Sequence, residues 1–153
     1  MKKLPIILAV LFFISTLFLI YFFIIRGDVA ESNDVRVNIK LTESNKDFAL
    51  KEMRDFLESV QQINEGIMNE DSDQIYNASI KSGGSVIEHS PKGMMASLPI
   101  GFKKLGFSVH DKFDEIADSI KIYNNYDYTQ RELNNLLNSC IACHRTYKIT
   151  VKK

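Results

Sequence analysis

Hydrophobic and polar positions alternate along this chain with three different periods, and each period predicts a different kind of element. From Leu4 to Ile25 there is no charged residue at all. These 22 residues would make about 33 Å of helix, enough to cross a hydrocarbon core of about 30 Å. Lys2 and Lys3 precede the run, and it ends in Tyr21-Phe22-Phe23-Ile24-Ile25-Arg26 without an Ala-x-Ala-like site. A cleaved signal peptide has a shorter apolar region, about 7–15 residues, followed by small residues at the cut. Residues 1–27 are therefore expected to be an uncleaved transmembrane anchor, with a signal sequence as the alternative. The positive-inside tendency puts Lys2 and Lys3 in the cytoplasm and the remainder outside the inner membrane, in the periplasm.

The next segment, residues 28–45, is polar. Within it Val35, Val37, Ile39 and Leu41 alternate with Arg36, Asn38 and Lys40, the period of a strand. One short strand has no partner visible in the sequence, so an extended linker is expected. From about Lys46 the period becomes helical. Met53, Phe56, Leu57, Val60, Ile63 and Ile67 form one core-facing stripe. Asp71-Ser72-Asp73 breaks it and can cap a second helix carrying Ile75, Ala78, Ser79, Ser82, Val86 and Ile87. Gly83-Gly84 weakens that helix by about 1 kcal/mol per glycine, and marks either a close backbone approach or a break. After the loop Ser90-Pro91-Lys92-Gly93, Ser97 and Pro99 open a third helix with Phe102, Leu105, Val109, Phe113, Ile116, Ala117 and Ile120, which Asn124-Asn125 ends. Thr129-x-x-Glu132 reads as a capping box for a fourth. Its stripe is Leu133, Leu136, Leu137, Cys140, Cys143, His144 and Tyr147. The predicted fold is all-α: an antiparallel four-helix bundle over residues 46–153, preceded by one transmembrane helix.

Cys140-Ile141-Ala142-Cys143-His144 is the pattern to which c-type haem is covalently attached. The two thiols add across the porphyrin vinyl groups and the histidine binds the iron from one side. Positions i, i+3 and i+4 share a helix face, so all three bonds can meet one flat ring. The chain's two cysteines are both here, and no disulfide competes for them. The motif admits two other readings. A zinc site would need a fourth ligand, from His89 or His110. A thioredoxin-like dithiol expects a strand–helix setting, which the pattern lacks. Attachment of haem takes place outside the inner membrane, so the motif and the export segment support each other.

Charge adds little. Lys2, Lys3 and Arg26 are three of 19 basic residues, which leaves 16 against 19 acidic ones and a net −3 beyond the anchor. That argues against nucleic-acid binding. No acid–base pair or nucleophile is apparent outside the motif, so turnover of a substrate is not expected.

The motif lies about ten residues from the end of the chain, on the last predicted helix, and continues as Arg-Thr-Tyr147-Lys148. This placement resembles class II c-type cytochromes, the cytochrome c-prime and c-556-like group, whose chains end in a motif like Cys-x-x-Cys-His-x-x-Tyr-Arg. The resemblance covers roughly residues 45–150. Lys148 stands where arginine is usual, which keeps a charge for a haem propionate but not the bidentate fork. The resemblance implies one covalent haem c on Cys140 and Cys143, with His144 as the proximal iron ligand and contacts from Tyr147 and Lys148. It also implies that the first helix of the bundle supplies the far side of the iron, and Met53 is the residue placed to do so. Met68, Met94 and Met95 come later and are less suitably placed. If the sixth position were open, Phe56 and Leu57 would cap it. His110, beside Val109 and Phe113, is a further candidate ligand and His89 a weaker one.

The expected function is electron transfer between membrane or periplasmic redox proteins. The other reading is a five-coordinate protein that binds nitric oxide or carbon monoxide. A homodimer is left open.

Overall fold

The computed structural model describes residues 3–27, 29–30 and 34–152; Lys2 and the linker positions 28 and 31–33 lie outside them. The first helix, α1 (Leu4–Ile20), continues without a break as a π-helical segment, Tyr21–Arg26. The whole stretch Leu4–Arg26 is long and apolar enough to cross a membrane, and none of its side chains is buried in the protein.

The chain then forms β1 (Val29–Ala30), β2 (Val37–Leu41), α2 (Glu43–Met68) and α3 (Ser72–Ile80). A 3₁₀ turn, Gly84–His89, leads to α4 (Met94–Ser97), α5 (Ile100–Tyr123), α6 (Tyr126–Thr146) and β3 (Tyr147–Val151). The protein is thus mostly helical. Helix α2 packs on α3 and α6, and α5 packs on the same two helices.

The boundaries follow from local chemistry. Thr42 caps α2 by accepting from the Asn45 N–H, and the Asp71 carboxylate caps α3 by accepting from the Gln74 N–H at 2.9 Å. Asn124, in the left-handed region at φ 45°, closes α5. Asn125 caps α6 by accepting from the Tyr128 N–H at 2.9 Å. Thr129 therefore is not the cap that its capping-box spacing predicts. It lies one turn inside the helix, buried, and donates its hydroxyl to the Asn125 carbonyl. The asparagine wins because its side chain reaches the free N–H groups one turn earlier.

The glycine pair does both things the sequence leaves open. Helix α3 stops at Ile80, and Gly83 then lies against α5 so closely that a Cβ there would sit 1.8 Å from an Asp114 carboxylate oxygen. The same carboxylate accepts from the Gly84 N–H at 2.8 Å.

The linker expectation needs correction. Strand β2 has partners on both sides: β1 antiparallel, and β3 parallel, with Val37 opposite Tyr147 and Leu41 opposite Val151. Ile39 and Leu41 are fully buried. The partner strand was hidden because Tyr147 continues the helical spacing of α6, yet the helix ends at Thr146 and Tyr147 already has extended geometry.

Two apolar cores result. The larger joins Ile63, Ile75, Val109, Phe113, Ile116 and Leu136 from α2, α3, α5 and α6. The smaller joins Ile39 and Leu41 of the sheet to Ala49, Met94 and Leu98. The stripe on α2 turns out narrower than its periodicity implies: Ile63 is fully buried, whereas Leu57 is 69% exposed. Truncating Ile63 to Ala should therefore lower stability by about 2–5 kcal/mol. Leu57→Ala should change it by no more than about 0.5 kcal/mol. Chemical denaturation of the two variants measures both.

Candidate functional site

A cavity lies where the two cores meet. Phe56, Val109 and Cys140 come to it from the edge of the larger core, and Ala49, Met94 and Phe102 from the smaller. About 570 Å³ of space, part of it open to solvent, lies among its lining side chains. Around it stand Met53 from α2, His110 from α5, and Cys140, Cys143 and His144 from the last two turns of α6. A second cavity of about 560 Å³ shares Met53, Phe102, Cys143 and His144 with the first and extends to Arg36, Lys46, Tyr147 and Lys148. The two share Cys143 and His144 of the motif and differ in character: the first is mostly apolar and aromatic with the half-buried Glu52 in its wall, and the second includes three cations.

The thiols and the imidazole reach the same space because α6 stays helical through His144, so positions 140, 143 and 144 share a face. Both cysteines are unpaired and half-buried. Burial raises both thiols, and Cys143 is pushed up to about 11, with Cys140 adding to the effect. A reactive dithiol needs the opposite, a thiolate favoured at neutral pH by a helix N-terminus or a nearby cation. These thiols lie in the last turns of a helix, where the dipole opposes negative charge.

The sequence-predicted residues divide clearly. Met53 faces the cavity about three turns into α2, rather than near its start, because the helix begins at Glu43. Phe56 lines the same cavity. Leu57, expected to share the capping role, points to solvent. Tyr147 and Lys148 line the second cavity, with the Tyr147 ring edge-on to Phe102 at 5.4 Å. His110 is buried in the wall of the first cavity. Its Nδ1 sits 2.9 Å from the Ser82 carbonyl and 3.2 Å from that of Gly83. Carbonyls only accept, so Nδ1 carries the proton. The Phe56 ring stands edge-on to the imidazole at 5.0 Å. His89 is exposed in the 3₁₀ turn and Met68 is 77% exposed. Among the described residues no group of three or more His, Cys, Asp or Glu could hold a metal ion.

Two features were not anticipated. Met94, set aside as too late in the chain, is buried and lines the same cavity as His144. Only the fold around the sheet brings it there, and no local spacing announces it. The second is Asp34, which pairs with Arg36 and lies 3.7 Å from Lys148. It links the segment entering β2 to the start of β3, and Arg36 also donates to the His144 carbonyl at 3.4 Å.

Comparison of the chain with family models, with curated proteins and with solved structures found no match.

The Arg36 guanidinium, by hydrogen bonding, and then the Lys148 charge hold the Asp34 carboxyl well below its ordinary value of 3.8. A carboxyl depressed in the fold contributes stability above its unfolded pKa and loses it as pH falls towards the folded value. Asp34→Asn should therefore be less stable than the parent chain at pH 7. The two denaturation midpoints should converge as pH falls below about 4.

Proposed function

We propose that this chain is a membrane-anchored, monohaem c-type cytochrome that carries electrons at the outer face of the inner membrane. The observation that carries the reading is the convergence of Met53, Cys140, Cys143 and His144 on one apolar cavity. A haem bound there supplies a one-electron ferrous–ferric couple. Cys140 and Cys143 would hold it as thioether tethers, and His144 and the Met53 thioether would ligate its iron.

The donor set suits that group better than the alternatives. Two thiols kept protonated by burial, one imidazole and one thioether are soft or borderline ligands in a mostly apolar shell. Lys46, together with Arg36 and Lys148 that also hold Asp34, lines the second cavity and would give the carboxylates of a macrocycle a net positive setting. Methionine ligation and burial both raise the potential of a haem iron. Two methionines line the first cavity, which favours a filled sixth position over an open one. His110 donates from Nδ1 to two carbonyls, which leaves its Nε2 lone pair able to ligate and makes it the alternative to Met53.

The helical connections support an antiparallel four-helix bundle as the scaffold. Residues 69–71 between α2 and α3, and 124–125 between α5 and α6, are too short for a parallel return. The long apolar helix serves as the membrane anchor, and membrane or periplasmic redox proteins are the partners.

Paired substitutions test the ligand assignment. In protein made with the c-type maturation machinery, Met53→Ala should turn low-spin iron high-spin, lower its potential and let carbon monoxide bind. Met94→Ala should leave the spin state unchanged and lower stability by about 2–5 kcal/mol, as loss of a core side chain does. A spectral change in the Met94 variant alone would transfer the ligand role to Met94. High-spin iron in the parent chain would give the cavity a ligand-binding role for nitric oxide or carbon monoxide.

A further inference from the structure

The end of the apolar helix is packed onto the domain. Gly27 is buried at φ +61°, and a Cβ there would lie 2.7 Å from the Pro99 nitrogen, 2.8 Å from the Leu98 carbonyl carbon and 2.9 Å from the Ser97 oxygen. Only glycine allows both this φ and this approach. The π-helical segment Tyr21–Arg26 also touches α4 and α5, and Lys103 of α5 donates its ammonium to the Phe23 carbonyl at 3.4 Å. Phe23 lies within the stretch that is apolar enough to cross a membrane. With that stretch in a membrane, an ammonium bonded to its carbonyl would sit at the depth where the hydrocarbon gives way to headgroups.

The same face of α5 continues in kind. Lys104 is exposed beside Lys103. Phe107, one turn on from Lys103, is 40% exposed, and the two line one groove with Met95, Leu98 and Phe102, in whose wall Glu52 and the buried His110 also stand. An aromatic ring beside lysines at the end of a membrane span is the composition of an interfacial belt. Further along, α5 turns acidic with Asp111 and Asp114, which bounds the stretch to its first two turns.

We propose that these first two turns of α5 rest in the phospholipid headgroup layer, with Lys103 and Lys104 against phosphates and the Phe107 ring at the acyl boundary. The domain then rides on the bilayer in one orientation instead of swinging on a tether. This rests on the reading that Leu4–Arg26 remains in the membrane.

Photocrosslinking of the full chain in phosphatidylcholine–phosphatidylglycerol nanodiscs tests it. Phe107→p-benzoylphenylalanine should yield several-fold more lipid adduct, read by mass, than Ile122→p-benzoylphenylalanine, which is at an exposed position near the far end of α5. Adding Gly27→Val should remove that excess while the chain still co-elutes with the nanodisc. Equal adduct yields at 107 and 122 in embedded protein would overturn the proposal. If the Phe107 variant fails to fold, Lys104→p-benzoylphenylalanine takes its place with the same expected excess. Failure of the anchor itself reads differently: the chain would not co-elute with the nanodisc at all.

Discussion

The parallel pairing of β2 with β3 is the constraint on which the site depends. One strand leads into α2 through a single residue, Thr42, and the other leaves α6 with none between. Ten residues from Glu43 to Met53 rise about 15 Å. A five-residue strand is about 17 Å long. Helix α2 contacts both strands, so it folds back along them, and the matched lengths bring Met53 level with Tyr147 and the last turn of α6. Both residues line the second cavity together with Cys143 and His144. The sheet thus adds to the direct packing of α2 on α6 in holding the end of α6 against the third turn of α2.

The cavity is a consequence of having two cores instead of one. Helices α2, α3, α5 and α6 close around Phe113 and its neighbours, and the sheet closes around Ile39 and Leu41 with Met94 and Leu98. Between them the side chains do not interdigitate, and the motif of α6 faces the gap. Interiors are otherwise packed to crystal density. The gap is lined by two thiols, two thioethers and two imidazoles.

Much of this was legible in the sequence, and the misses have physical causes. The stripes on α2, α3, α5 and α6 were readable because burial on one helix face imposes a 3.6-residue period. The motif was readable because its three donors are local on one helix. The sheet was not, since β2 and β3 lie more than a hundred residues apart and pairing leaves no trace at either site alone. Tyr147 fitted a helical spacing by coincidence, and Leu57 fell in a stripe whose edge only the packing decides. Met94 escaped for the same reason as the sheet: its place in the cavity depends on the small core that the strands build.

The most direct measurement is the intact mass of the chain, made with the c-type maturation machinery and unfolded in acid before analysis. The account predicts a mass greater than that of the polypeptide by one haem, lost when Cys140 and Cys143 are both changed to Ala. A parent chain that unfolds to its bare polypeptide mass, with no covalently held haem, would contradict it.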